Sequence, residues 1–424
     1  MPYSRRVVDF TLDEVFPHLA AIAVEGAKGV GKSTTAAERV RTIVDLSDPR
    51  RRASVEADWD YVTKVEPPVL IDEWQLHPPV WDRVKKAVDD DRSGGQFLLA
   101  GSANVPAGTR IHSGAGRIIS LRMRPLSIAE RGIDTPTVSL AESLAGRSQH
   151  IQGVSQIGLD DYVEEILSSG FPGIRNYPPR LRDQQLDSYL TRIVEHELPE
   201  NGVTVRRPTT LYRWLAAYGA ASSSLASYTT ILDAATPGES EKITRTTADT
   251  YRDHLERIFI LDPIPAWIPL FNPLKKLGSS PKHHLVDPAL AARLVGVRRA
   301  DLLAGNGPTI GSAATWLGAL FESLVTQSVR VYADAAQARV GHLRTREVNY
   351  AREVDLIVEG EDRQIVGIEV KLSPIVTDKD VRHLLWLRDQ LGDRVADLMV
   401  VTTGDTAYRR SDGVAVVPLA LLGP

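Results

Sequence analysis

The sequence predicts an α/β protein with a parallel-sheet domain first, a helical middle and a second α/β domain at the end. Three observations predict it. Short apolar runs alternate with amphipathic stretches to about residue 135, helical periodicity dominates from 160 to about 270, and strand-like runs return after a long apolar helix. The 424 residues allow two to four domains at roughly 100–200 residues each. Hydrophobic residues make up 43% and charged residues 25%, as in ordinary globular chains. There is no cysteine, which excludes disulfide scaffolds, thiolate zinc sites, iron–sulfur clusters and cysteine nucleophiles. The net charge of −4 argues against a uniformly basic nucleic-acid wrapper and leaves room for local basic patches. No apolar run reaches the length of a membrane span or a signal peptide, so a cytoplasmic location without membrane partners is expected.

Taken in order, residues 21–24, 69–71 and 97–100 read as buried parallel strands, with helices over 32–44 and 81–89 between them. Residues 135–158 lose the alternation and read as a linker or a poorly packed connection. From 160 to about 198 the pattern is helical, broken by a turn at Gly170-Phe-Pro-Gly173. Helices follow over 211–218, 227–235 and 247–257, with a turn at Pro237-Gly238 before the third. Residues 281–299 hold a short strand and a helix, and 313–332 a long helix. Strands are expected over 340–343, 354–358, 365–370 and 398–402, with a helix over 377–391. The predicted domains are therefore 1–135, 136–205, 206–275 and 276–424.

Gly26-Ala27-Lys28-Gly29-Val30-Gly31-Lys32-Ser33 fits G-x-x-x-x-G-K-[ST] directly after an apolar strand and before a helix. Glycines let backbone N–H groups curl around phosphate, and the helix that opens at Lys32, Ser33 and Thr34 adds its positive end. Lys32 is placed for the β- and γ-phosphates of ATP and Ser33 for Mg²⁺. Val69-Leu-Ile-Asp72-Glu73 is an apolar strand ending in two carboxylates, Asp72 for the Mg²⁺ shell and Glu73 to polarise the attacking water. The strand 97–100 runs into Ser102 and Asn104, either of which is a candidate to sense the γ-phosphate. Arg117, ahead of Ile118, is the candidate arginine finger, in cis or from a neighbouring subunit.

The three helices of 206–275 and the extended run after them follow the plan of a winged helix-turn-helix. Its third helix would present Arg245, Thr246, Thr247, Thr250 and Arg252 to DNA, opposite a core face of Tyr251, Leu255 and Ile258. A purely structural helical module fits the same spacing. Near the C-terminus, Asp355 and the Glu369-x-Lys371 triplet lie in neighbouring strands. If these form a hairpin, Asp355 faces Glu369, and with Lys371 the carboxylates can bind one divalent metal and activate water for phosphodiester attack. Glu322 interrupts the long apolar helix and is a further candidate ligand. The alternative for these residues is a solvated strand charge or a buried Glu369–Lys371 ion pair. Arg339, Arg344 and Arg346 form a candidate backbone-binding stripe. No H-E-x-x-H or G-x-S-x-G pattern occurs, and the adjacent His283 and His284 read as structural.

Together these residues resemble a family of bacterial and archaeal AAA+-type P-loop ATPases with a winged-helix middle and a C-terminal PD-(D/E)xK nuclease-like domain of uncharacterised function. The carriers are 26–33, V-L-I-D-E-W-Q at 69–75, L-L-A-G-S at 98–102, Gly116-Arg117 with Arg124-Pro-Leu-Ser127, and Gly170-Phe-Pro-Gly173. His284-Leu-Val-Asp287 and the Glu322/Asp355/Glu369/Lys371 set complete them. At position 74 this chain has Trp where the family more often has a small or aliphatic residue. The resemblance implies a P-loop fold, roles in ATP hydrolysis for Lys32, Ser33, Asp72 and Glu73, a restriction-endonuclease-like C-terminal core, and a homo-oligomer. Two functions follow as expectations. One is an ATP-regulated nuclease using Mg²⁺ or Mn²⁺, and the other an ATP-switched DNA-binding or regulatory protein whose nuclease-like domain does not cut.

Overall fold

The computed structural model describes residues 3–102, 114–147, 150–200, 203, 205, 207–236, 244–269, 274, 277–307, 315–345 and 351–424. Asn104, Pro237-Gly238 and Arg346 lie outside the described residues. Helix α1 (Val7–Val15) precedes strand β1 (Ala21–Glu25), and the phosphate loop leads into α2 (Lys32–Ala37). Then come β2 (Thr42–Asp45), β3 (Val69–Asp72), α3 (Pro79–Asp90), β4 (Phe97–Gly101) and β5 (Ile118–Arg122). The five strands make one parallel sheet in the order β2-β3-β4-β1-β5. β1, β3 and β4 are the continuous apolar runs expected of strands buried on both faces. The helix expected over 32–44 is shorter: it stops at Ala37, and Thr42-Ile43-Val44 becomes the edge strand β2. Three consecutive β-branched side chains fit a pleated surface better than a helix.

Residues 135–158 are not a free linker. They contain β6 (Val138–Ser139) and β7 (Gly153–Val154), both paired to strands from the end of the chain. The middle is helical, with α4 (Leu159–Ser168), α5 (Pro179–Arg192), α6 (Pro208–Ala220), α7 (Tyr228–Ala235), α8 (Arg245–Arg257) and α9 (Pro288–Val295). After α8 the chain makes antiparallel bridges between Leu261 and Leu285 and between Ile264 and Lys282. α6 packs against α7 and α9 around the buried Trp214 and Tyr218.

Helix α10 (Trp316–Ala335) is apolar on nearly every side and buried along most of its length, as a central helix must be. It leads to β8 (Arg339–Arg344), β9 (Glu353–Glu359), β10 (Ile365–Lys371), α11 (Asp378–Leu391) and β11 (Val395–Thr402). β12 (Thr406–Arg409), β13 (Ala415–Pro418) and β14 (Leu422–Gly423) close the chain. Seven strands form the second sheet in the order β7-β12-β13-β11-β10-β9-β8, while β14 pairs with β6. Both α10 and α11 pack on this sheet. α10 also holds the first domain, because Ser328 Oγ accepts from the Ile128 N–H and the Tyr332 hydroxyl from the Ala129 N–H, at 3.1 and 3.0 Å. Among the described residues no helix is long and apolar enough to cross a membrane.

Candidate functional site

The phosphate loop hangs from the C-terminal end of β1, with Gly26, Gly29 and Gly31 all at positive φ. At Gly26 the conformation is obligatory, since a Cβ there would lie 2.1 Å from the Met123 carbonyl oxygen. Lys32 is buried, and its ammonium donates to the carbonyls of Gly26 at 2.8 Å and Ala27 at 3.0 Å. Burial lowers its pKa to about 8, a shift that Glu73 and Asp72 only partly offset. Ser33 Oγ donates to Asp72 Oδ1 at 2.8 Å, so the two candidate Mg²⁺ ligands are brought together. Burial raises the pKa of both Asp72 and Glu73. Oxygen donors on a hydroxyl and a carboxylate suit Mg²⁺.

The sequence reading gave no role to Gln75, Arg6 or Tyr189. Gln75 Nε2 donates to Glu73 Oε2 and lies 3.4 Å from the buried Ser102 Oγ, so it ties the candidate base to the end of β4. The W-Q after D-E was its only signal. Arg6, 4% exposed, donates to the Val30 carbonyl at 2.8 Å and pairs with Glu130 at 2.9 Å, bracing the loop from below. The Tyr189 hydroxyl donates to the Lys28 carbonyl at 2.9 Å, and Phe171 of the Gly170–Gly173 turn packs on Tyr189 at 4.8 Å. The Arg6 and Tyr189 contacts join residues far apart in sequence, and periodicity carries no trace of them.

Arg117 is not brought to the loop of its own chain. Ala21 pairs with Ile118 and Glu25 with Arg122, so Arg117 sits at the opposite end of the strands from the loop, bonded to Asp89 at 2.7 Å. Arg122 and Arg124, at the loop end of β5, turn instead to the buried Asp262 at 3.0 and 2.9 Å. Arg330 of α10 reaches Asp262 at 3.0 Å, and Arg124 also pairs with Asp334. Burial would push the Asp262 carboxyl up, but Arg330, Arg124 and Arg122 outweigh it and hold the pKa far below the usual range.

On α8, Arg245, Thr246 and Thr250 are exposed, and Thr247 is half-buried beside the Thr244 cap, which accepts its N–H at 3.2 Å. Arg252 is held by Asp249 at 3.1 Å and Asp253 at 3.0 Å and stacks over Tyr228. It is therefore engaged within its own helix. His283 and His284 are both buried, against Ala226 and Ser323, and burial lowers the pKa of each.

β9 and β10 do pair antiparallel, with Leu356 opposite Ile368, and Asp355 and Glu369 come at the next step. Asp355 Oδ2 accepts the Val370 N–H at 2.9 Å, and Lys371 donates to Glu369 Oε2 at 2.9 Å. The metal expected on Glu322, Asp355 and Glu369 finds a lysine there instead. The Lys282 ammonium, 1% exposed, lies 2.8 Å from Glu322, 3.0 Å from Asp355 and 3.1 Å from Glu353. Among the described residues no group of three or more His, Asp or Glu side chains is arranged to hold a metal ion. Burial alone would lower the Lys282 pKa, but the three carboxylates hold it well above its usual value. Burial raises Glu322 to about 8, against the pull of Lys282. Asp355 drops to about 2 because Lys282 and Lys371 outweigh its burial. Glu369, pushed up by burial and by Asp355, keeps Oε1 without a hydrogen-bond partner. Arg339 and Arg344 are exposed on β8.

Residues 19–131 match the model of an AAA domain. Residues 159–301 and 317–422 match two models described as domains of unknown function, DUF8612 and DUF4143. No curated protein matches the chain. One solved structure, a half-complex from a tetradecameric assembly of Thermococcus gammatolerans McrB AAA+ hexamers with bound McrC, is 12% identical over 50% of this chain and 69% of that one. Its TM-score is 0.20. The sheet, the loop and the AAA match agree: residues 19–131 form an AAA+-type P-loop domain of the ATP-binding kind.

Proposed function

We propose that this protein is a Mg²⁺-dependent ATPase associated with DNA, whose nucleotide state acts on a C-terminal nuclease-like domain that does not cut. The observation that carries the ATPase reading is the meeting of Lys32, Ser33, Asp72 and Glu73 at the ends of β1 and β3. Lys32 and the loop N–H groups would take the phosphates, and Ser33 and Asp72 would hold Mg²⁺, which neutralises developing charge. Glu73 would polarise the attacking water, kept in place by Gln75, with Ser102 beside them.

The Arg122/Arg124–Asp262–Arg330 cluster supports transmission, since it joins the loop end of β5 to α10 under the second sheet. α6, α7, α8 and the bridges after them follow the winged-helix order, and the exposed Arg245 and Thr246 open its third helix. Arg117, remote from its own loop, would serve as a finger only from a neighbouring copy, so a homo-oligomer belongs to this reading. We place the protein in the cytoplasm on the same proposal.

ATP turnover with and without duplex DNA tests the reading. Lys32→Ala should abolish turnover, and Glu73→Gln should bind ATP without hydrolysing it. Arg245→Ala should reduce DNA stimulation. Wild-type turnover by Lys32→Ala sinks the ATPase reading, and indifference to DNA sinks the association. The second reading is a metal-dependent nuclease, favoured by Lys371 bonded to Glu369 beside Asp355. Plasmid cutting with Mg²⁺ or Mn²⁺, lost in Lys371→Ala, would establish it.

A further inference from the structure

The acidic end of β9 and β10 carries an internal cation. Four carboxylates gather there, Glu322 from α10, Glu353 and Asp355 from β9, and Glu369 from β10. The Lys282 ammonium donates to Glu322 at 2.8 Å and to Asp355 at 3.0 Å, and Glu353 lies 3.1 Å away as a third ion-pair partner. A divalent ion takes such oxygens at roughly 2.0–2.6 Å. It cannot share Asp355 and Glu322 with an ammonium already lying between them. Lys282 is also fixed from behind, because its N–H and carbonyl both bond to Ile264 at 2.9 Å and its side chain is shut away from solvent. Withdrawing it would strand buried carboxylates with no counter-charge. Lys371 does not replace it, since its ammonium is given to Glu369.

We propose that Lys282 is the resident cation of this site. Its ammonium stands where a divalent ion would bind Asp355 and Glu322, and the wild-type protein takes no metal there. Lys282 is thus a positioning residue that orders β9, β10 and α10 about one buried charge. The inference goes beyond the ATPase reading, and its test contains no ATP, so the two fail separately.

The test titrates the full chain with Mn²⁺ alone, counting bound ions by electron paramagnetic resonance and following thermal stability. Wild type and Asp355→Asn should bind the same number of ions, and Mn²⁺ should not raise the wild-type midpoint through this site. Lys282→Met should gain one ion, at least tenfold tighter than any background site. Lys282→Met/Asp355→Asn should lose it again. A wild-type ion that disappears in Asp355→Asn overturns the proposal, as does a folded Lys282→Met that gains none. If Lys282→Met folds only with Mn²⁺ present, the proposal stands. If it does not fold at all, wild type against Asp355→Asn and the milder Glu322→Gln decides: equal ion counts support the proposal and a lost ion overturns it.

Discussion

Lys32 illustrates how burial tunes a single charged group. Its ordinary pKa of 10.5 falls to about 8 within the loop, and phosphate oxygens would raise it again. Between those values the protein holds fewer protons than its nucleotide complex, so binding should take up a proton and affinity should fall as pH rises through 8. Calorimetry of a non-hydrolysable ATP analogue at pH 8.5, in buffers of different ionisation enthalpy, reads this directly. A binding enthalpy independent of buffer would refute it. The same shift acts on stability with the opposite sense: the unfolded chain holds more protons over this range, so the burial cost eases as pH rises. Gln75 makes a second prediction. Because it fixes Glu73, Gln75→Ala should lower kcat by up to about 100-fold with little change in KM, as misplacement of a catalytic group does. A large KM change with unaltered kcat would contradict that role.

At the scale of elements, the heaviest demand falls on α10. It carries Arg330 to Asp262 and Asp334 to Arg124, closing a buried charge cluster against β5. Removing the central carboxylate leaves three guanidinium groups facing one another, and breaking a buried pair in this way costs about 3–5 kcal/mol. Asp262→Asn should therefore destabilise the protein by that order in denaturant unfolding at neutral pH. The pH dependence has a definite sign. The folded carboxyl titrates far below its ordinary 3.8, so its contribution is present above about pH 4 and lost as pH falls further. The stability slope below pH 4 should be shallower in Asp262→Asn than in wild type. Elements also mark where sequence reading was weakest. β2 was absorbed into a predicted helix because four residues give too short a window for period-2 alternation to show. β6 and β7 are two residues each and exist only because distant strands pair with them.

Across the whole molecule one apolar core runs from Val7 in α1 through Trp214 and Phe321 to Leu422 in β14. The AAA+-type domain, the helical middle and the second sheet share it, so they should not melt independently. Scanning calorimetry should show a single cooperative transition, and two well-separated transitions would refute the shared core. The sequence by itself determined three of the parallel strands, β1, β3 and β4, with the phosphate loop and its two acidic partners, and most of the C-terminal hairpin. Each of these is local: the loop is eight consecutive residues, and strand burial shows as a continuous apolar run. Only the tertiary structure decided that Arg117 faces away from its own loop, that Arg252 is bound within its helix, and that Val138–Ser139 and Gly153–Val154 pair with the C-terminal strands. It alone put the Lys282 ammonium among Glu322, Glu353 and Asp355. The physical reason is the same for Arg117 and for Lys282. A charge is defined by what surrounds it, and in this chain the partners of Lys282 lie 40 to 73 residues away, beyond the reach of any periodicity.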